Sequence, residues 1–171
     1  SLNIVGLNVG AGTSVATSSE HYCFVFLDET LACRGRNAWG QIGNGMGGPG
    51  ENVFNPFTIP GTFKAVGAGV EHTCGLAAAG ESVVCYGRNV TGAFDGTDGA
   101  NDDPVTFFVA LDPVVSIVVG PYHNAAMTDE GELYLFGNND YDQVSATEVG
   151  DVTAPVEYTL PAGDLAVDAG L

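Results

Sequence analysis

Three stretches that each begin with a histidine decide the fold of this chain. They read HYCFVF at residues 21–26, HTCGLA at 72–77 and HNAAMT at 123–128. Their histidines are evenly spaced, since 72 − 21 and 123 − 72 are both 51. Each stretch is followed by a run that ends in Gly and Asn: CRGRN at 33–37, CYGRN at 85–89 and LFGNN at 135–139. The chain therefore repeats a unit of about 51 residues.

Short strands joined by turns make up each unit. Apolar runs of strand length flank Gly-Glu or Glu-Gly turn signals, as in LAAAGESVVCYG at 76–87 and AMTDEGELYLFG at 126–137. The sequence shows no amphipathic helical stripe. Repeats of about 40–50 residues made only of short strands are typical of propeller blades. We therefore predict an all-β fold built from β-propeller blades.

Residues 21–43, HYCFVFLDETLACRGRNAWGQIG, resemble the repeat of the regulator-of-chromosome-condensation (RCC1) family. That repeat has a small residue, Gly, two variable residues and His, then a short hairpin, then Gly-x-Asn-x-x-Gly-Gln-Leu-Gly. The segment GRNAWGQIG at 35–43 matches the second element, with Ile for Leu. The later units depart from this element at Ala93 and Asp95, and at Asp142 and Ser145.

The resemblance implies a propeller of about seven blades, each a four-stranded antiparallel sheet. The predicted repeats span residues 1–63, 64–114 and 115–165, and residues 166–171 would be the opening strand of a fourth. Residues 13–20, TSVATSSE, are predicted to be an exposed loop insertion in the first repeat. Three blades leave unpaired edges and open sheet faces. We expect the remaining blades to come from the same longer polypeptide, with a ring of several copies as the alternative.

The recurring glycines and polar residues are predicted to serve the blade structure. Asn and Gly tolerate left-handed backbone and cap turns, which explains their recurrence in the loops. Each histidine is expected to make the same structural hydrogen bond in its blade, with a metal site at the central channel as the alternative. These structural positions are His21, His72, His123, Gly35, Asn37, Gly40, Gln41, Gly87, Gly137 and Asn139.

The cysteines occupy matching positions in two of the three units. Where the first two units have cysteines, the third has Ala125 and Leu135, so both cysteines are absent together. This pattern predicts a disulfide across each hairpin, with buried free thiols as the alternative. Zinc is disfavoured because no CxxC-type spacing occurs. The predicted disulfides join Cys23 to Cys33 and Cys74 to Cys85.

Disulfides indicate an oxidising compartment, and we therefore predict an extracellular or cell-surface location. The sequon NVT at residues 89–91 fits that location and makes Asn89 a glycosylation candidate. Asn89 is also the recurring turn residue of the repeat, which weakens the sequon as a signal.

The balance of charge excludes several kinds of partner. Four Lys+Arg face 21 Asp+Glu, giving a net charge of −17, while charged residues make up only 15% of the chain. Such an acidic surface repels phosphate, so no nucleic-acid partner is expected. No apolar run approaches the roughly 20 residues needed to span a bilayer, and no membrane insertion by this segment is predicted.

No catalytic constellation or cofactor site is evident. Cys23 or Cys74 beside its histidine is a poor nucleophile candidate because both cysteines are expected to be oxidised. Residues 95–103, DGTDGANDD, lack the ligand spacing of an EF-hand and are predicted to be a solvated turn rather than a calcium site. Trp39, at a loop tip, is predicted to pack between blades, with a partner contact as the alternative.

We therefore predict a noncatalytic scaffold module that binds protein partners as part of a larger protein or assembly. The alternative is a secreted propeller that inhibits an enzyme. The founding family member is a nuclear guanine-nucleotide exchange factor that docks on chromatin. Net charge and the predicted disulfides make that role unsuitable for this chain.

Overall fold

The computed structural model describes residues 12–79, 82–89, 100–108, 113–147 and 150–158. Within these ranges it contains strands and no helix, so none is present that could cross a membrane. The twelve strands of the described ranges are β1 (Gly12–Thr17), β2 (His21–Phe26), β3 (Leu31–Arg36), β4 (Asn52–Ile59), β5 (Phe63–Ala68), β6 (His72–Ala77), β7 (Val83–Arg88), β8 (Ala100–Phe108), β9 (Val114–Val119), β10 (His123–Thr128), β11 (Leu133–Gly137) and β12 (Val152–Tyr158).

These strands form three four-stranded antiparallel sheets in chain order, β1 to β4, β5 to β8 and β9 to β12. The predicted fold class is confirmed: each repeat is one antiparallel sheet of a partial propeller. The sheets meet mainly through their first strands, because β5 lies against both β1 and β9. The first strands therefore lie innermost, and β4, β8 and β12 form the outer edges.

The prediction of a loop insertion at residues 13–20 is wrong. Residues 12–17 form β1, which pairs with β2. Val15 and Thr17 are exposed while Ser14 and Ala16 are partly buried, which is the alternation of a strand. β1, β5 and β9 begin at residues 12, 63 and 114, so 63 − 12 and 114 − 63 are both 51 and nothing is inserted.

A local sequence match caused that error. VGAG at residues 9–12 copies VGAG at 66–69, but the second copy contains the end of β5, whereas the first copy only reaches the start of β1. Residues 9–11 lie outside the described ranges, as do residues 166–171, the predicted opening strand of a fourth repeat. Of the acidic segment 95–103, residues 100–103 belong to β8 and not to a turn, and the rest also lies outside the described ranges.

The core lies between the sheets. Leu31, Ile42 and Ile59 of the first repeat pack against Phe63 and Tyr86 of the second. The next junction packs residues of the second repeat against those of the third, namely Leu76, Val83, Val114, Ala126 and Phe136. Because the second sheet buries one face against the first sheet and the other against the third, packing in this chain is a stack of similar interfaces.

Proline marks each outer edge strand. Pro56, Pro104 and Pro155 lie in β4, β8 and β12. Proline has no N–H to give to a ladder and is tolerated in sheets mainly on edge strands. At this position it also discourages pairing of the exposed edge with a foreign strand.

A glycine near the end of β3, β7 and β11 is required by close backbone approach. Gly87 has a φ of +110°, and a Cβ there would lie 2.4 Å from the backbone oxygen of Glu71. Gly35 and Gly137 have φ values of +128° and +111° and the same kind of contact. These predicted repeat positions therefore need glycine for a steric reason.

We predict that Gly87→Ala lowers the free energy of unfolding by about 1–3 kcal/mol, the typical strain of such a backbone position. Urea unfolding followed by tryptophan fluorescence measures the change. Gly48→Ala is the matched control, because a Cβ at Gly48 meets no atom within 4 Å. Equal stability of the two variants would contradict the steric explanation.

Candidate protein-interaction face

The two ends of the sheets form two different surfaces. The turns that join the first two strands of each sheet and the long loops between the last two strands lie at one end, which we call the loop face. Its described long-loop residues are 37–51 in the first repeat and 138–147 and 150–151 in the third. The tight hairpins at residues 27–30 and 129–132 lie at the opposite end, which we call the hairpin face.

A buried asparagine organises the first long loop. Asn37 is fully buried, and its Oδ1 accepts a hydrogen bond from the Ile42 backbone N–H at 2.9 Å. Its Nδ2 donates to Asn44 Oδ1 at 2.8 Å and to the backbone oxygen of Met46. Gln41 Oε1 accepts from the Trp39 N–H at 2.9 Å. These bonds fix the loop onto the end of the sheet.

The third repeat builds its loop in the same way despite its altered sequence. Asn139 Oδ1 accepts from the Val144 and Ser145 N–H groups at 2.9 Å. Gln143 Oε1 accepts from the Tyr141 N–H at 2.8 Å, as Gln41 does for Trp39. Gly40 has a φ of +77°, and Asp142 takes the corresponding position with a φ of +56°. Asp tolerates the left-handed region, so the turn survives without glycine.

The prediction of a glycan on Asn89 is wrong for the folded protein. Asn89 has no exposed surface. It follows β7 as Asn37 follows β3, so it occupies the position of the loop-anchoring asparagine. A glycosylated side chain must project into water, and a fully buried amide leaves no room for a sugar.

The histidines link neighbouring sheets. His21 Nε2 lies 2.7 Å from Thr73 Oγ1, and His72 Nε2 donates to Asn124 Oδ1 at 3.1 Å. Thr73 and Asn124 each follow the histidine of the next repeat, so the same bond recurs from sheet to sheet. His123 is partly buried at the start of β10.

Burial keeps the linking histidines neutral. Desolvation lowers the pKa of His21 to about 4, and the neighbouring His72 adds to the shift. The pKa of His72 is lowered in the same direction, again mainly by burial. Among the described residues, no group of three or more His, Cys, Asp or Glu side chains is placed to hold a metal ion. The structure thus gives His21 and His72 a hydrogen-bonding role between sheets.

Both predicted disulfides are confirmed. Cys23 and Cys33 are opposite each other in β2 and β3, with an S–S distance of 2.06 Å. Cys74 and Cys85 are joined in the same way in the second sheet. All four side chains are at most 1% exposed. These sulfur atoms are bonded to each other, so they are not available as nucleophiles.

Trp39 joins the first loop to the second sheet. The guanidinium carbon of Arg88 lies 4.2 Å from the centre of the Trp39 ring. Arg88 Nη1 also donates to Glu71 Oε2 at 3.0 Å. This aromatic–guanidinium–carboxylate stack places Trp39 in contact with the neighbouring repeat.

Sequence reasoning missed Arg88 and Glu71, although a signal was present. The first two units both have Glu before His and Arg before Asn, and Arg36 pairs with Glu20 as Arg88 pairs with Glu71. The third unit lacks both residues together. Such joint presence and absence is the same pattern that revealed the disulfides.

Trp39→Ala is expected to destabilise the protein by about 1–2 kcal/mol, because it removes the ring from Arg88. Tyr141→Ala removes an aromatic side chain from the equivalent position of the third loop, where it is 88% exposed. That control should change stability by less than about 0.5 kcal/mol. Thermal unfolding of both variants measures the difference, and equal effects would show that the stack contributes nothing.

The exposed aromatic side chains favour the loop face as a binding surface. Met46, Phe54, Tyr122 and Tyr141 are all exposed at this end of the sheets. The hairpin face also exposes Leu27, Val115 and Tyr158, and its tips carry exposed carboxylates at Asp28, Glu29, Asp129 and Glu130. Exposed aromatic residues on fixed loops are typical of protein-binding surfaces.

Comparison with known proteins assigns the family. The family model "Regulator of chromosome condensation (RCC1) repeat" matches residues 114–143. The dog X-linked retinitis pigmentosa GTPase regulator is 26% identical over 154 residues, which are 86% of this chain and 15% of that protein. The mouse probable E3 ubiquitin-protein ligase HERC4 is 31% identical over 152 residues, 83% of this chain and 14% of that protein. This chain belongs to the RCC1-like repeat propellers.

Solved protein structures share this fold. Human WBSCR16 superposes with a TM-score of 0.76 at 19% identity, covering 86% of this chain and 39% of that chain. Yeast RCC1 (Prp20), solved bound to Kap60, gives 0.74 at 20% identity, covering 93% of this chain and 40% of that chain. The RCC1-like chain described here spans about 15% of the length of the first curated relatives it matches.

Proposed function

We propose that this RCC1-like chain is a noncatalytic protein-interaction module that works outside the cell or on its surface, as part of a larger scaffold protein. The observation that carries the proposal is the pair of buried disulfides in an RCC1-like propeller. Disulfides persist in oxidising compartments and are rare in the cytosol and nucleus. The net charge of −17 also favours proteins over nucleic acid as partners.

Protein binding is supported by the relatives and by the loop face. Yeast Prp20p has been solved and studied for its binding to Gsp1p and histones, and yeast RCC1 has been solved with Kap60. In this chain, Met46 and Phe54 expose large apolar surfaces on and beside a loop that Asn37 holds in place. Apolar groups on a pre-organised loop bind with little loss of conformational entropy.

The buried histidines support a role without catalysis. His21 and His72 are committed to hydrogen bonds between sheets, and burial lowers the pKa of both, which disfavours their charged forms. The cysteines beside them are oxidised. Neither type of residue is therefore placed to act as a nucleophile or as an exposed proton donor.

Chemical cross-linking of the full-length protein at its native location, followed by mass spectrometry, tests the proposal. Met46→Ser with Phe54→Ser should remove most cross-links to other proteins. Leu27→Ser with Tyr158→Ser is the matched control, because these side chains are exposed at the opposite end of the sheets. Cross-links that persist in the first variant and vanish in the second would overturn the assignment of the loop face.

The identity of the captured protein separates the two roles left open by the sequence. If the partner is an enzyme and its activity falls on addition of the wild-type protein, the protein is an inhibitor and the scaffold role is wrong. If the partner has no activity that changes on binding, the scaffold role stands. The loop-face variant serves as the inactive control in both measurements.

A further inference from the structure

The first long loop carries the one Asn-Gly pair of the sequence, Asn44-Gly45. In such a pair the backbone nitrogen of glycine can attack the side-chain amide carbon of asparagine, because glycine has no Cβ to block the approach. Gly45 has a φ of +70°, and a Cβ built on it would meet no atom within 4 Å. Among the described residues, the Gly45 N–H has no hydrogen-bond acceptor. The attacking nitrogen is therefore unhindered and is not held by another bond.

The folded loop activates the carbon atom that this nitrogen attacks. Asn44 Oδ1 accepts two hydrogen bonds, from Asn37 Nδ2 at 2.8 Å and from the Met46 backbone N–H at 3.1 Å. Two N–H donors on one carbonyl oxygen stabilise the negative charge that develops there when a nucleophile adds to the carbonyl carbon. Asn37 is fully buried and bonded to the Ile42 N–H, so its amide is held in place before the reaction.

The flanking repeats leave this part of the loop exposed. The first loop lies toward the second repeat, where Ile42 joins the shared core, yet Gly45 and Met46 are exposed. The third repeat has the second repeat on its other side, and the residues equivalent to the Asn-Gly pair, Ala146 and Thr147, are exposed there as well. A repeat on either side therefore does not cover these loop positions, and water can reach them.

We propose that Asn44 is a self-modification site, at which the folded protein converts asparagine into isoaspartate or aspartate. The Gly45 backbone nitrogen bonds to Asn44 Cγ, the Cγ–Nδ2 bond breaks, and ammonia leaves with the proton that the Gly45 nitrogen loses. Water then opens the cyclic imide. Cleavage between the nitrogen and Cγ gives aspartate, whereas cleavage between the nitrogen and the backbone carbonyl carbon gives isoaspartate.

Formation of isoaspartate is expected to detach Met46 from its anchor. In isoaspartate the main chain runs through Cγ, so the oxygen that Asn37 and Met46 contact becomes a backbone oxygen in a loop that is longer by one methylene. We expect both hydrogen bonds to this oxygen to be lost. The consequence for binding rests on the proposed function, because Met46 belongs to the surface proposed to contact partners. Conversion of Asn44 then limits the lifetime of that surface.

Peptide mapping by mass spectrometry tests the site in full-length protein that has been aged at neutral pH. Asn44 should gain the mass of an amide-to-acid change, whereas Asn52, an exposed asparagine followed by valine, should remain intact. A synthetic peptide of residues 41–50 is the unfolded reference. The folded protein should convert at least as fast as the peptide, because the loop supplies two N–H donors. An intact Asn44 in the folded protein under conditions that convert the peptide would overturn the site.

Hydrogen exchange measures the effect of conversion on the loop. After ageing, the Met46 N–H should exchange about tenfold faster, as expected for the loss of one hydrogen bond. The Ile42 N–H, which is bonded to Asn37 Oδ1, should stay protected. Asn44→Ser is the matched control, because its hydroxyl can accept the Met46 N–H but cannot form the imide. Equal exchange at Met46 in fresh and converted wild-type protein would overturn the loss of the anchor.

Cross-linking of the aged full-length protein separates this inference from the proposed function. Loss of cross-links from the aged wild type, but not from aged Asn44→Ser, supports both proposals. If the aged wild type keeps the cross-links that the Met46 and Phe54 variant loses, the limit on lifetime is wrong and the interaction module stands. If neither ageing nor that variant removes cross-links, the loop face is not the binding surface and both proposals fail.

Discussion

Removal of both disulfides is expected to lower the free energy of unfolding by about 5 kcal/mol, roughly 2–3 kcal/mol for each. Each disulfide joins directly opposed residues of two neighbouring strands and closes a short loop, with sequence separations of 10 and 11. The cross-link removes conformations from the unfolded chain, so its loss favours unfolding. Guanidinium unfolding at neutral pH, with and without the disulfides, measures the effect.

The third repeat supplies the design of the matched variant. Ala125 and Leu135 face each other in β10 and β11 where the other repeats have cysteines. Cys74→Ala with Cys85→Leu therefore replaces a disulfide by an apolar pair that this architecture already uses. A serine pair at the same positions leaves buried hydroxyls and should destabilise more. If the Ala–Leu variant is as stable as the wild type, packing at this site outweighs the cross-link and the entropic account is wrong.

Acidification from about pH 6.5 to about pH 4 should destabilise the protein by about 3 kcal/mol through His21 alone. The pKa of His21 falls from 6.5 in the unfolded chain to about 4 in the folded one, so the unfolded chain binds the proton first. The contribution of neutral His21 to the free energy of unfolding is therefore fully present above pH 6.5 and falls as the pH drops from 6.5 to about 4. The pKa of His72 is lowered too, which adds to the loss in the same direction.

His21→Gln tests the origin of this pH dependence. A glutamine amide can replace Nε2 as the partner of Thr73 and does not titrate in this range. The variant should lose less stability than the wild type between pH 6.5 and pH 4. Asp28 should not add to the loss of stability in this range. Its hydrogen bonds to Thr30 lower its pKa, so its contribution to the stability of the folded state is lost only below its ordinary pKa of 3.8. Identical slopes for His21→Gln and wild type above pH 4 would contradict the role of His21.

The repeat period, the sheet type and the disulfides could be predicted from the sequence because each is a local pattern that recurs. The 51-residue spacing fixed the number of sheets, and the joint loss of both cysteines in the third unit identified the pairs. The first strand was misplaced because VGAG at residues 9–12 is a closer match to VGAG at 66–69 than GTSVAT is to the true counterpart, FKAVGA. A strand is defined by its pairing with a neighbour, which a local match does not detect.

The contacts between sheets could not be predicted in the same way. The bond from His21 to Thr73 and the stack of Arg88 on Trp39 join residues about one repeat apart, and their partners follow only from the placement of one sheet against the next. Asn89 is a further case. A sequon does not indicate whether its asparagine is buried, and in this repeat that asparagine lies inside the fold. The loop face could not be predicted either, because it forms only when the three sheets stack in the same direction and bring their loops to one end.

The redox state of the cysteines in the native protein tests most directly whether this propeller works in an oxidising compartment. The protein should be isolated from its own source and unfolded in guanidinium with iodoacetamide. Its intact mass should then be measured by mass spectrometry before reduction, and again after reduction and alkylation. Unfolding is essential, because all four sulfur atoms are buried. We predict no alkylation of these four cysteines before reduction and alkylation of all four after it. Four alkylated cysteines without reduction would contradict the extracellular account.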